Sequence, residues 1–194
     1  MWNDLFNTIA PVYGLFFDYQ VKNFRKVLDT ANGHFDIPAG TSFLDIGCGT
    51  GALSHALLEH GYHVTGVDAA PQMINQAQER NTGNFKNYVV GDVLKGLPFA
   101  DSSFDVVIAS YVAHGMKEAD RKVLYTEASR LAKNMIVFHD YNKKRSIGSD
   151  FIEWLEGGDY FRFIKIVESE LKEALGNVEV LDVARKSALY IIKK

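Results

Sequence analysis

The run Ser42-Phe43-Leu44-Asp45-Ile46-Gly47-Cys48-Gly49-Thr50-Gly51 constrains this chain most. An apolar strand ends in an acid and then passes through three glycines at alternate positions. Glycine at that spacing serves a tight strand-to-helix turn, because it tolerates positive φ and lets a ligand reach the backbone without meeting a Cβ. We read the run as a cofactor loop. Ala52-Leu53-Ser54-His55-Ala56-Leu57-Leu58-Glu59-His60 follows with apolar residues at helical spacing, and Gly61 stands where a glycine would stop that helix.

Context decides what such a loop holds, since G-x-G patterns also occur in dinucleotide-binding folds and in loops without ligands. A second apolar strand, Tyr62 to Val67, ends in Asp68. That acid lies about 20 residues past the glycines, where a ribose-binding carboxylate is expected. A third strand, Asn87 to Gly91, ends in Asp92, and a fourth, Ser103 to Ser110, runs toward Tyr111 and His114. A helix is predicted over Leu15 to Ala31, with Phe17, Val21, Phe24, Leu28 and Ala31 on one face. Another runs from near Glu118 to Lys133, with Val123, Leu124, Ala128 and Leu131 inward and Lys133 suited to its C-terminal end. Met135 to Phe138 reads as a fifth strand leading to His139-Asp140-Tyr141. An aromatic-rich segment from Asn142 to Gly158 precedes a helix from Tyr160 to Leu175 that Gly176 stops. Val178 to Val183 and Ser187 to Ile192 read as a closing hairpin. Alternating strands and helices predict an α/β fold, doubly wound around a mostly parallel sheet with helices on both faces.

Five pieces of this chain resemble the class I S-adenosylmethionine-dependent methyltransferases, most closely the ubiquinone/menaquinone-biosynthesis-like group that acts on small molecules. They are Leu44 to Gly51, Gly66-Val67-Asp68-Ala69-Ala70-Pro71-Gln72-Met73, Gly91-Asp92-Val93, Leu97-Pro98-Phe99 and Ser103-Phe104-Asp105-Val106-Val107. The resemblance implies a Rossmann-like sheet of seven strands whose last strand inserts antiparallel between the fifth and sixth. It also implies one methyltransferase domain over 1–194: a cap and helix (1–32), a cofactor-binding core (42–140), a substrate-side insertion (142–176) and a C-terminal hairpin (177–194).

Ligands of open parallel sheets sit outside the carboxyl ends of the strands, near the point where strand order reverses. Asp45, Asp68, Asp92 and Ser110 all fall at such ends. The resemblance implies that Gly47, Gly49 and the neighbouring backbone, with Cys48, Thr50 and Gly51, pack against the cofactor's methionine moiety, with Asp45 steering its ammonium group. Asp68, beside Ala69, would hold the ribose hydroxyls. Asp92 would accept from the adenine amino group, the Val93 N–H would donate to a ring nitrogen, and Met73 would cover one adenine face. Asp45 and Asp68 could instead be helix-entry acids, Asp92 a turn acid and Met73 plain core. Asp105 stands at the opposite end of its strand and reads as structural.

Methyl transfer is a displacement at a carbon whose leaving group is already activated, so alignment of the nucleophile dominates. An acceptor that must lose a proton also needs a base, and His114, just past the fourth strand, is the candidate. The alternative is a loop histidine without catalytic duty. His139, Tyr141 and Tyr111 are substrate candidates. Tyr13 resembles a tyrosine that closes over the cofactor in related enzymes. Phe151, Trp154, Tyr160 and Phe161 could line an acceptor pocket or belong to the core. The stretch Ala109-Ser110-Tyr111-Val112 lacks the Asn/Asp-Pro-Pro-aromatic pattern of amino methylation. Cys48, the sole cysteine, lies inside the cofactor loop, so a cysteine nucleophile for pyrimidine attack is missing and no internal disulfide is available.

The formal charge of −3 argues against a phosphate-backbone partner, and Lys143-Lys144-Arg145 is the one compact basic cluster. The N-terminal sequence lacks signal-peptide character, and no run reaches the roughly 18 apolar residues of a membrane span, so a cytoplasmic enzyme without a bound metal is the expectation. Two other readings use the same loop. A nicotinamide-dependent reductase would need G-x-G-x-x-G, whereas Gly47, Gly49 and Gly51 give G-x-G-x-G. A catalytically silent regulatory or scaffold protein that binds S-adenosylmethionine or S-adenosylhomocysteine would keep the cofactor motifs without an acceptor site.

Overall fold

The structure, a computed structural model, describes residues 14–32, 34, 37–144 and 160–194. Seven strands form one sheet in the order β3-β2-β1-β4-β5-β7-β6. The chain divides into two units, residues 1–98 and 99–194.

In the first unit, helix α1 (Phe17–Asn32) leads to strand β1 (Ser42–Ile46), helix α2 (Ala52–Glu59), strand β2 (His63–Asp68), helix α3 (Pro71–Arg80) and strand β3 (Tyr88–Val90). Strands β1 and β2 pair in parallel, as do β2 and β3. Phe43, Leu44, Asp45 and Ile46 of β1 are all buried, the pattern of a strand covered on both faces. Helix α1 buries Phe17, Val21, Val27 and Ala31, with Phe24 packed against that cluster. Leu28, expected in this stripe, is only half-buried, and Val27 is buried more deeply. At 100° per residue the two flank the same stripe, and sequence spacing cannot separate them.

In the second unit, strand β4 (Phe104–Ser110) is followed by a 3₁₀ turn at Ala113–Gly115, helix α4 (Glu118–Leu131), strand β5 (Ala132–Tyr141), helix α5 (Tyr160–Leu175) and strands β6 (Glu179–Ala184) and β7 (Ser187–Lys193). Strands β4 and β5 are parallel, and β7 runs antiparallel to both β5 and β6. The last strand therefore lies between the fifth and sixth, as the resemblance implies.

The structure corrects three expectations. Helix α4 ends at Leu131, and Lys133 belongs to β5. Val123 does not face inward; it is 42% exposed, while Arg121 and Tyr125 are buried beside Leu124, Ala128 and Leu131. Arg121 can be buried because Glu170 of α5 takes both ends of its guanidinium fork. Strand β5 is also longer than Met135 to Phe138: it starts at Ala132, opposite Phe104, and ends at Tyr141, opposite Ser187. Its polar residues conceal its length in the sequence. Among the described residues, no helix is long and apolar enough to cross a membrane.

Candidate active site

The glycine loop is fastened to β2 from both sides. The Gly47 and Cys48 N–H groups donate to the Val67 carbonyl at 2.8 and 3.0 Å, and the Gly51 N–H closes the turn on the Cys48 carbonyl at 2.9 Å. Gly51 has φ +80°, and a Cβ there would stand 2.8 Å from the Asn81 amide nitrogen and 3.0 Å from the Ala77 Cβ. Gly49 differs: its φ is +53°, yet a Cβ would meet nothing within 4 Å. Gly51 thus serves packing, whereas Gly49 borders open space.

Three acids close the ends of three neighbouring parallel strands around that loop. Asp45 is 1% exposed, and its Oδ2 accepts from the Ser54 hydroxyl at 2.7 Å. Burial pushes its carboxyl up to about 7, the Ser54 hydrogen bond opposes that rise, and nearby Asp68 adds to it. A cation brought beside Asp45 would offset the cost of its ionisation. Asp68 accepts from the Gly49 N–H at Oδ2 (2.9 Å) and from the Ala70 N–H at Oδ1 (2.8 Å). One carboxylate thereby ties the loop to the start of α3, where Pro71 opens the helix. The Ala69 backbone N–H bonds this carboxylate as well, and hydroxyls are a fitting partner for the acceptor capacity that remains. Burial raises Asp68 as well, against the pull of these backbone donors.

Asp92 follows β3, and the Gly91 N–H joins it to β2 by donating to the Asp68 carbonyl at 2.9 Å. Asp92 caps the 3₁₀ turn Val93–Lys95, with Oδ1 accepting from the Leu94 N–H at 3.0 Å and Oδ2 lying 3.2 Å from Lys95 Nζ. Met73 is buried against Ala70, Val93 and Thr50 are buried, and Ala69 is half-buried. Burial, with Asp45 and Asp68 nearby, pushes the Cys48 thiol well above its usual range and keeps it an inert part of the wall. Loop, acids and Met73 all belong to the first unit and carry donors and acceptors suited to an ammonium group, a ribose and a flat base.

Ser110, grouped with the cofactor residues in the sequence, belongs to the second unit. It pairs in register with His139, and its Oγ lies 2.9 Å from His139 Nδ1. Burial drives the His139 imidazole down to about 4, with Asp140 opposing, so this ring stays neutral near pH 7. His114 rides on the 3₁₀ turn after β4, with Nδ1 2.9 Å from Asp140 Oδ1 and its N–H donating to Asp140 Oδ2 at 3.2 Å. A carboxylate accepts, so Nδ1 carries a proton toward Asp140, and in the neutral ring that leaves the lone pair on Nε2.

Asp140 is 1% exposed and also takes the Tyr141 N–H at 2.8 Å. The sequence alone assigns Asp140 no role. Its signal was an acid at the end of the fifth strand, matching those that end the first three.

Aromatic rings surround this pair. Tyr111 meets His139 edge-on at 4.8 Å and Tyr141 at 5.2 Å, and Tyr141 meets His114 at 4.9 Å and Tyr160 at 5.0 Å. Tyr111 has φ +54°, rare for a bulky side chain, and the residue is 41% exposed. Its N–H donates to the His139 carbonyl at 2.8 Å, which helps hold that backbone in place. Backbone strain of this kind clusters at functional sites. Tyr160 is buried in α5 and Phe161 is half-buried. Tyr13, Phe151 and Trp154 lie outside the described residues. Asp105 lies 3.4 Å from the Asn134 amide, at the opposite end of β4 from Ser110.

Comparison with known proteins finds chains similar to this one in sequence and in fold. Residues 44–135 match the model of the methyltransferase domain family. The chain is 34% identical over 111 residues to the 2-methyl-6-phytyl-1,4-hydroquinone methyltransferase of Synechocystis, covering 56% of this chain and 34% of that protein. It is 31% identical over 105 residues to the 18S rRNA (guanine-N(7))-methyltransferase of Bos taurus, covering 54% of this chain and 36% of that protein. The chain thus spans about one third of the length of these curated relatives. Among solved structures, a SAM-dependent methyltransferase from Aquifex aeolicus superposes with a TM-score of 0.67 at 19% identity, over 85% of this chain and 88% of that one, a likeness of fold.

Proposed function

We propose that this chain, which belongs to the class I S-adenosylmethionine-dependent methyltransferases, transfers a methyl group to a small molecule whose attacking atom carries a proton. The observation that carries the reading is the glycine loop ringed by Asp45, Asp68 and Asp92, with Gly49 facing open space. When bound, S-adenosylmethionine supplies an electrophilic methyl on a sulfonium whose thioether leaves readily.

The remaining work falls to the protein. Asp45, costly to ionise alone, takes the methionine ammonium as its counter-charge. Asp68 accepts from the ribose hydroxyls with the acceptor capacity left by its backbone donors. Asp92, the Val93 N–H and Met73 receive the adenine. On the acceptor side, His114 Nε2 removes the proton from the attacking atom, and Asp140 holds the ring in the required tautomer and stabilises its charged form. The proton then passes from His114 to water. Alignment of acceptor and methyl supplies most of the rate, up to roughly 7–11 kcal/mol in well-oriented systems. The formal charge of −3 supports a small molecule over an RNA backbone as acceptor.

Calorimetric titration with S-adenosylmethionine, S-adenosylhomocysteine and NADH in parallel tests the cofactor. Micromolar binding of the first two, about −8 kcal/mol, without NADH is the expected result. NADH binding alone would mean a reductase. Asp68→Ala is expected to weaken cofactor binding by about 1.5–3 kcal/mol, and unchanged affinity in the folded variant would remove Asp68 from the site.

A further inference from the structure

We infer that Arg121 and Glu170 are positioning residues for His114, acting through the main chain of its turn. The inference rests on the reading of His114 as a base held by Asp140.

The His114 turn is short, and Asp140 fixes only one end of it. The other end is Met116, whose N–H closes the turn on the Ala113 carbonyl at 3.1 Å. The Met116 carbonyl accepts from Arg121 Nη1 at 2.7 Å. Arg121 is 0% exposed, and the rest of its fork is held by Glu170, Nε to Oε1 at 2.7 Å and Nη2 to Oε2 at 2.8 Å. Phe163 of α5 lies against the guanidinium, 5.5 Å from ring centre to Cζ, and its ring centre is 6.5 Å from that of His114. Helices α4 and α5 therefore hold the carbonyl two residues beyond His114 through one rigid fork.

Stability alone does not account for a buried pair of this kind. Desolvating an arginine and a glutamate costs several kcal/mol, and apolar residues of similar volume are often as stable or more so. A Met/Leu pair would fill the space but could not donate to Met116. The distinctive contribution of Arg121 is a directed hydrogen bond, which a lysine, with a point charge in place of a fork, reproduces poorly.

The test reads the His114 imidazole by NMR on protein labelled with ¹⁵N-histidine, with His114→Gln assigning the signal. Wild type is expected to show a protonated Nδ1 in slow exchange with water. In Arg121→Met/Glu170→Leu the melting temperature is expected to hold while Nδ1–H exchange accelerates about tenfold or the signal broadens away, as for residues coupled through one network. Unchanged tautomer and exchange in that folded variant would overturn the inference and leave the His114–Asp140 pairing standing. Absence of the Nδ1–H tautomer in wild type would sink the pairing and the inference together. Should the double variant not fold, Arg121→Lys is read the same way: faster exchange supports the inference, and an unchanged signal overturns it.

Discussion

Two glycines of one loop make opposite demands. At Gly51 an added methyl collides with Asn81 and Ala77 on a backbone at φ +80°, so Gly51→Ala is expected to destabilise the protein by about 1–3 kcal/mol. At Gly49, φ +53°, the methyl is strained by the backbone but meets nothing within 4 Å, so Gly49→Ala should lower the melting temperature less than Gly51→Ala does while weakening cofactor binding more. Thermal melts of both variants, with and without S-adenosylhomocysteine, separate the two effects, and equal losses for both would refute the distinction. Asp45 adds a pH dependence. Its carboxyl is pushed up to about 7, above the unfolded value near 4, so the folded chain holds a proton that the unfolded chain releases. Cofactor-free stability is therefore greatest below about pH 4 as far as Asp45 is concerned, and it is lost as pH rises through about 7. Cofactor affinity runs the other way: pairing with an ammonium requires the ionised form, so affinity should climb toward about pH 7 and then level. Titrations across that range in wild type and Asp45→Asn check this, and an equal slope in both would exclude Asp45 as the cause.

Elements show where sequence patterning carries information and where it stops. Helix α5 spans Tyr160–Leu175, the range that periodicity predicts, because its apolar stripe packs inward without interruption. Strand β5 exceeded its apolar run, since Lys133 and Asn134 are exposed and His139 and Asp140 are buried with partners. Alternation of polarity marks a strand only where burial and polarity agree. The glycine loop and the acids of β1 to β3 were legible because each is local to its strand end. Asp140 was not, since its meaning depends on the parallel pairing of β4 with β5 and on a turn beyond β4. Arg121 was missed for the same reason: Glu170, 49 residues away, permits its burial. The C-terminal strands give an energetic contrast. Strand β7 is paired on both sides and buries Leu189, so Leu189→Ala is expected to cost about 2–5 kcal/mol. Strand β6 ends the sheet with Val180 42% exposed, and Val180→Thr should change stability by less than about 0.5 kcal/mol. Denaturant unfolding would measure both, and similar losses would mean that β6 is not an edge.

At the scale of the molecule, the two kinds of chemistry fall in different stretches of chain. Residues 1–98 contain the glycine loop, Asp45, Asp68, Met73 and Asp92, while residues 99–194 contain Ser110, Tyr111, His114, His139 and Asp140. Groups without shared partners act nearly additively, so cofactor affinity and acceptor deprotonation should be separable by mutation. Asp140→Asn keeps the shape of the carboxylate but offers His114 an amide, which can donate to Nδ1 and favour the wrong tautomer. That variant is expected to bind S-adenosylhomocysteine within about twofold of wild type. Its turnover with any acceptor that must lose a proton should fall by roughly 10²–10⁴. Asp68→Ala should do the reverse, losing affinity for S-adenosylhomocysteine first. His139 supplies a control, because burial holds it to about 4 and it carries no charge near neutrality. His139→Gln should therefore leave the shape of the activity profile between about pH 5 and 8 unchanged, whatever it does to the rate. A profile that flattens in His139→Gln while persisting in Asp140→Asn would transfer the proton-accepting role from His114 to His139.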